Sequence, residues 1–182
     1  MRRILLLFAL IAFGVAVSLG QTGEPEFIGE ALLVRPDGST VKLDKEIGDF
    51  TSGISWSSNS WNALSLEIAG GKALTRIKTG EPIELIVRAV DNNSDPLTII
   101  AIYKFKAKKK SRSVLLSKDN SGTFLKSRTS SKNMVRFTGS KSGLSSYRIS
   151  LTDLPAGEYG ILVSNPNNRD EKRTIVSCFA VE

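Results

Sequence analysis

A lysine-rich segment is the feature of this sequence with the clearest capacity for chemistry. Residues 104–112 read Lys-Phe-Lys-Ala-Lys-Lys-Lys-Ser-Arg. Strand alternation would place the first three lysines on one face, and a hairpin tip would present the remaining basic residues. A surface of this kind attracts anionic polymers by long-range steering and counterion release. The candidate anion-binding residues are Lys104, Lys106, Lys108, Lys109, Lys110 and Arg112.

The same segment also has a structural interpretation, which is the favoured one. Lysines on an edge strand block edge-to-edge aggregation of β-sheets. Lysine also outnumbers arginine here, which argues against planar, bidentate recognition of an anion. The choice between a solvated edge strand and a binding surface stays open at the level of sequence.

Residues 91–95, Asp-Asn-Asn-Ser-Asp, offer several oxygen ligands of the type that Ca²⁺ prefers. The EF-hand spacing, with its glycine and closing glutamate, is absent. Asx-rich turns before a proline are ordinary connections between strands. We therefore interpret this segment as a turn and predict no metal ligands.

Two tryptophans flank a polar loop, and exposed aromatic rings in such loops can stack on sugars. Trp56 follows Ile54 at strand spacing and is predicted to lie in the core. Trp61 is the candidate aromatic contact.

The absence of histidine excludes several classes of enzyme. Without it, Ser-His-Asp and Cys-His mechanisms and histidine-based zinc sites cannot form, and a single cysteine cannot build a thiolate zinc site. We predict no catalytic residue and no cofactor. A carboxylate-dependent glycan hydrolase, which needs two acids facing each other in a cleft, is the weaker alternative.

The charge of +7 is unevenly distributed. Residues 21–100 carry a net −5, residues 101–150 a net +12, and residues 151–182 a net −2. The excess of positive charge therefore belongs to one segment of the chain.

The elements that position these residues read as strands. Residues 83–90 are rich in β-branched residues and predict a core strand, and Asp37-Gly38 between two apolar runs predicts a hairpin. Turn signals recur every eight to twelve residues or so, the spacing of a sandwich or barrel. Cys178 is predicted to be a small buried core residue. We predict one all-β domain, an antiparallel β-sandwich of about nine or ten strands.

The N-terminus has the pattern of an export signal. Arg2 and Arg3 precede an uncharged apolar run over residues 4–17, and Ser18 and Gly20 fit a cleavage site before residue 21. The run is too short for a membrane-spanning helix. We predict a signal peptide over residues 1–20, a flexible lead over 21–27 and a single domain over 28–182.

Residues 151–161 resemble a corner of the immunoglobulin-like fold, in which a tyrosine after a glycine-containing turn bonds back to the chain. The resemblance implies that Tyr159 is that tyrosine, while Ile161 stands where antibody domains carry a cysteine. More widely, the chain resembles a group of uncharacterised secreted bacterial proteins, which implies export and a β-sandwich but no mechanism. The matching segments are residues 25–30, 88–92, 94–96, 109–112, 157–160 and 165–167.

Together these features predict an exported, non-catalytic, immunoglobulin-like β-sandwich that binds a partner in the periplasm, at the cell surface or outside the cell. The expected partner is an anionic polysaccharide, lipopolysaccharide, a membrane-proximal lipid or a protein, and not genomic nucleic acid. The alternative is a structural protein that assembles through an exposed strand edge. Oligomeric state is not specified by the sequence.

Overall fold

The computed structural model describes residues 23–55, 61–122, 125–130 and 132–182. The predicted signal peptide, residues 1–20, lies outside the described residues. Within the described ranges, no helix is long and apolar enough to cross a membrane.

This part of the chain forms fourteen strands and one short helix. The elements are β1 (Ala31–Val34), β2 (Thr40–Lys42), β3 (Asp44–Ser55), β4 (Trp61–Ala69), β5 (Arg76–Ile77), β6 (Ile83–Arg88), α1 (Pro96–Ile99), β7 (Ile100–Ala107), β8 (Ser111–Gly122), β9 (Leu125–Ser130), β10 (Met134–Val135), β11 (Thr138–Ser142), β12 (Ser146–Leu151), β13 (Gly157–Val163) and β14 (Arg173–Val181).

The strands form two sheets. The smaller sheet has the order β11-β12-β6-β1-β2, and the larger has the order β10-β7-β13-β14-β3-β4-β8-β9 with β5 beside β14. A further pairing between β7 and β8 closes six strands of the larger sheet into a barrel, in the order β7-β13-β14-β3-β4-β8. Among the described residues the strands pair antiparallel, apart from β5 with β14.

Three barrel strands, β7, β13 and β14, contribute apolar side chains to two cores. In β14, Val176, Cys178 and Ala180 belong to the core inside the barrel, whereas Phe179 and Val181 belong to the core beneath the smaller sheet. Because successive side chains of a strand point to opposite faces, one strand contributes to both cores. The smaller sheet thus forms a two-layer arrangement with one wall of the barrel.

The barrel is narrow, and two glycines make room for its side chains. A Cβ atom at Gly160 would lie 2.6 Å from both Phe105 Cε2 and Val176 Cγ1. A Cβ atom at Gly48 would lie 2.7 Å from Leu66 Cδ1. Distances this short are overpacked, so only glycine fits these two positions.

The prediction of an all-β, antiparallel chain is confirmed. The number of strands exceeds the nine or ten expected, and six of them close into a barrel that was not predicted. Alternation of apolar residues assigns side chains to faces, but it carries no information on whether a sheet closes on itself.

Candidate functional site

The lysine-rich segment forms the end of β7 and the turn that leads into β8. Lys106, Lys108, Lys109 and Lys110 are exposed, and the Lys108 amide closes the turn by donating to Ser111 O at 2.8 Å. No described carboxylate pairs with any of these four lysines. We call the four lysines the basic turn.

The loop between β4 and β5 brings a fifth lysine to the basic turn. The Gly70 amide donates to Lys110 O at 3.0 Å, and a Cβ atom at Gly71 would lie only 2.4 Å from Lys108 O. The next residue, Lys72, is exposed. Sequence reasoning missed Lys72 because it lies far away along the chain, in a region of net negative charge. The glycine pair Gly70-Gly71 was the available signal of a close backbone approach.

The prediction that the hairpin presents Arg112 is wrong. Arg112 is fully buried on the inner face of β8. Its guanidinium donates to Gly70 O at 3.1 Å and pairs with Glu158 at 3.5 Å and with Glu46 at 3.8 Å. The cause is alternation, because β8 enters the barrel wall directly after the turn and residue 112 falls on the inward side.

Glu158 joins this buried arginine to the neighbouring loop. Its carboxylate accepts from the Ala73 amide at 2.7 Å and pairs with Arg76 at 3.4 Å. A buried charge is stable only when it is paired and hydrogen-bonded, and both conditions are met here. The network fixes the basic turn and the Lys72 loop on the same end of the barrel.

Lys104 differs from the lysines of the basic turn. It is half-buried, its ammonium donates to Ala156 O at 2.8 Å, and it lies 5.9 Å from the centre of the Tyr159 ring. Its charge is therefore engaged within the fold, while its apolar stem covers the rim of the core.

The edge-strand interpretation of the segment is also wrong. Strand β7 pairs with β13 on one side and with β10 and β8 on the other. A strand with partners on both sides needs no lysines to prevent edge-to-edge aggregation.

Two lysines of another part of the fold share a buried acidic partner. Glu30 is 1% exposed and pairs with Lys45 and, at 2.9 Å, with Lys42. Burial alone would raise the pKa of Glu30, but its bonds to these two ammonium groups and to the Phe27 amide lower that pKa to about 2. The four lysines of the basic turn, by contrast, have no acidic partner among the described residues.

The oxygen-rich loop uses its side chains locally. Asp91 accepts from the Asn93 amide at 2.8 Å, and Asp95 caps α1 by accepting from the Leu97 amide at 2.9 Å. The Asn92 amide group donates to Gly143 O at 3.2 Å. These oxygens serve turn geometry, and no cluster of three metal-ligating side chains occurs among the described residues.

The remaining predicted residues have different surroundings. Trp61 begins β4, but its side chain lies outside the described part of the chain, as does the whole of Trp56. Tyr159 is buried, donates its hydroxyl to Pro155 O and stacks on Phe179 with ring centres 5.3 Å apart.

Comparison with known proteins gives no assignment, since no protein-family model and no curated protein matches the chain. The fold and the charged surface therefore carry the functional argument.

Proposed function

We propose that this chain is an exported, non-catalytic β-domain that binds an anionic partner through the basic turn and Lys72. The observation that carries the proposal is the exposure of five lysines at one end of the barrel, four of them with no acidic partner among the described residues. Uncompensated like charges repel one another, so their concentration on one rigid turn favours a role in attracting negative charge.

The buried network beneath the turn supports this role. Arg112 and Glu158 hold the backbone that carries the lysines in one position. The lysine side chains therefore extend from a fixed backbone. Binding to a pre-organised surface costs less conformational entropy than binding to a mobile loop.

Export rests on the N-terminal sequence. The charged start, the apolar run and the small residues before residue 21 support secretion, and the resemblance to secreted bacterial proteins agrees with it. The Tyr159 hydroxyl bond to Pro155 O supports a likeness to the immunoglobulin corner. Mass spectrometry of the protein secreted by cells expressing the full chain tests export, with a first residue of Gln21 expected.

Binding is tested with dextran sulfate and neutral dextran, which share a backbone and differ in charge. The secreted protein is expected to bind dextran sulfate only, with affinity that falls between about 20 mM and about 200 mM salt. Replacing Lys108, Lys109 and Lys110 by Glu is expected to weaken binding at least about 10-fold, because repulsion replaces attraction.

A matched triple variant distinguishes the effect of charge at the basic turn from the effect of the net charge of the protein. Lys78, Lys141 and Lys172 are exposed and lie apart from the basic turn, and replacing them by Glu gives the same change in net charge. If both triple variants lose the same affinity, or if the protein ignores dextran sulfate at low salt, the proposal fails. Preference for anionic lipid vesicles over the polymer would identify a membrane surface as the partner.

Assembly through a strand edge is the second candidate. Strand β9 pairs with β8 on one side, and no described strand pairs with its other side. An open edge can accept a strand from another chain. Self-association that is independent of salt and unaffected by the lysine substitutions would favour this function.

A further inference from the structure

An open notch lies where β7 and β8 part, beside the basic turn. The two strands pair only at Lys106 with Ser113 and at Ala107 with Arg112. Farther along, β7 turns to β10, and the Lys104 amide donates to Asn133 O at 2.9 Å. The space left between the strands is about 460 Å³, within the range of ~300–1,000 Å³ usual for ligand sites.

We call this space the seam notch. The residues that matter for its chemistry are Ser65, Phe105, Lys106, Ser113, Leu115 and Asn133.

A β-bulge contributes to the shape of the notch. The pairing of β4 with β8 shifts between Leu64 and Ser65, so that Leu64 faces Ser117 and Ser65 faces Leu115. This shift leaves one extra residue on β8 between the two pairs. An extra residue of this kind bends a strand and redirects its side chains, and bulges are common beside binding sites. Here the irregularity falls on the wall of the notch.

The lining combines three kinds of group. Leu115 is 38% exposed and presents an apolar surface, Ser113 presents a hydroxyl, and Lys106 presents an ammonium that has no acidic partner in the described part of the chain. A sugar ring has an apolar C–H face and hydroxyls at its edge, and an acidic sugar adds a carboxylate. The three groups of the lining thus match the three parts of an acidic sugar.

A nearby acidic residue favours one orientation of a ligand in the notch. Glu67 is exposed and faces Ser113 across the β4–β8 pair, whereas Lys106 faces Ser113 from the other side. Like charges repel, so the carboxylate of a ligand is favoured on the Lys106 side of the notch.

We propose that the seam notch holds one acidic sugar residue of an anionic polysaccharide, with its ring against Leu115 and its carboxylate toward Lys106. The proposal rests on the proposed function, since the neighbouring acidic residues of the polymer would lie along Lys108, Lys109 and Lys110. It adds the ligand class, because the basic turn alone selects only for charge.

The test compares a galacturonate tetrasaccharide with a tetraglutamate peptide of the same charge, by calorimetry at low salt. The secreted protein is expected to bind the saccharide about 10-fold more tightly. Leu115→Ser removes the apolar surface and Ser65→Phe fills the notch, and each is expected to abolish the difference while leaving peptide affinity unchanged. Glu67→Gln is expected to strengthen saccharide binding.

Leu115→Ser and Ser65→Phe change different walls of the notch, and circular dichroism shows whether each variant is folded. If one of them misfolds, the other still tests the proposal. Equal affinity for the two probes, or a preference for the saccharide that survives in the folded notch variants, overturns the proposal and leaves the basic turn in place. If the native protein binds neither these probes nor dextran sulfate, the proposed function itself fails.

Discussion

Replacing Glu30 by Gln tests the electrostatics of the fold most directly. The side chain is 1% exposed, and its pKa is lowered from the ordinary 4.5 to about 2. This lowering corresponds to about 3 kcal/mol of folding free energy at neutral pH, at 1.36 kcal/mol for each tenfold change in proton affinity. Glutamine keeps the shape and loses the charge, so the variant is expected to be less stable by about that amount at pH 7.

The pH dependence has a definite sign. A group whose pKa is lower in the folded state stabilises the fold above its unfolded pKa, and the contribution disappears as pH falls through the folded pKa. The advantage of the native protein over Glu30→Gln is therefore expected to be full above about pH 5.5, to fall to about 1 kcal/mol at pH 3, and to vanish below about pH 2.

Urea unfolding followed by tryptophan fluorescence measures this difference at each pH. Comparing two proteins cancels the titration of the other carboxylates, which are present in both. Glu81→Gln is the control, since Glu81 is exposed and has no described ion-pair partner. A stability difference that stays constant from pH 7 to pH 3 would refute the assignment of this energy to the Lys42 and Lys45 pairs.

Three further results are expected. Arg112→Met removes one of the two arginines that pair with the buried Glu158 carboxylate, the other being Arg76, and is expected to cost about 3 kcal/mol in urea unfolding. At least about 1 kcal/mol is expected to be regained in Arg112→Met/Glu158→Gln, and no recovery would contradict the pairing. Gly160→Ala forces a Cβ atom against Phe105 and is expected to cost about 1–3 kcal/mol, while Gly23→Ala, which has open space around it, leaves the melting temperature unchanged. Burial raises the pKa of the Cys178 thiol to about 12, so a thiol reagent at pH 8 is expected to label the protein only as fast as it unfolds; rapid labelling of the folded protein would show that the thiol is accessible.

Local features of the fold were predictable because they depend on neighbours in the chain. Residues 83–90 were predicted to form a core strand, and β6 lies in the middle of the smaller sheet. The hairpin at Asp37-Gly38 joins β1 to β2, with Gly38 at a φ of 80° that favours glycine. Cys178 is buried as expected. In each case a short pattern of neighbouring residues determines the local structure.

Closure of the barrel was not predictable, since it depends on a pairing between β7 and β8 that only two residues of each strand make. The same closure turned Arg112 inward, although its sequence neighbours Lys109 and Lys110 are exposed. Lys72 joined the site through backbone contacts between distant loops. The lysine-rich composition of the segment thus located the candidate site. Which residues belong to the site depends on tertiary contacts.

The strands shared between the two cores have a mechanical consequence. A load applied to the basic turn would pass to β7, which is hydrogen-bonded to β13 over six register pairs. Strand β13 continues into β14, and both carry apolar side chains into the barrel and beneath the smaller sheet. The load would therefore reach both cores through the strands that they share, and separating one layer would disturb the packing of the other.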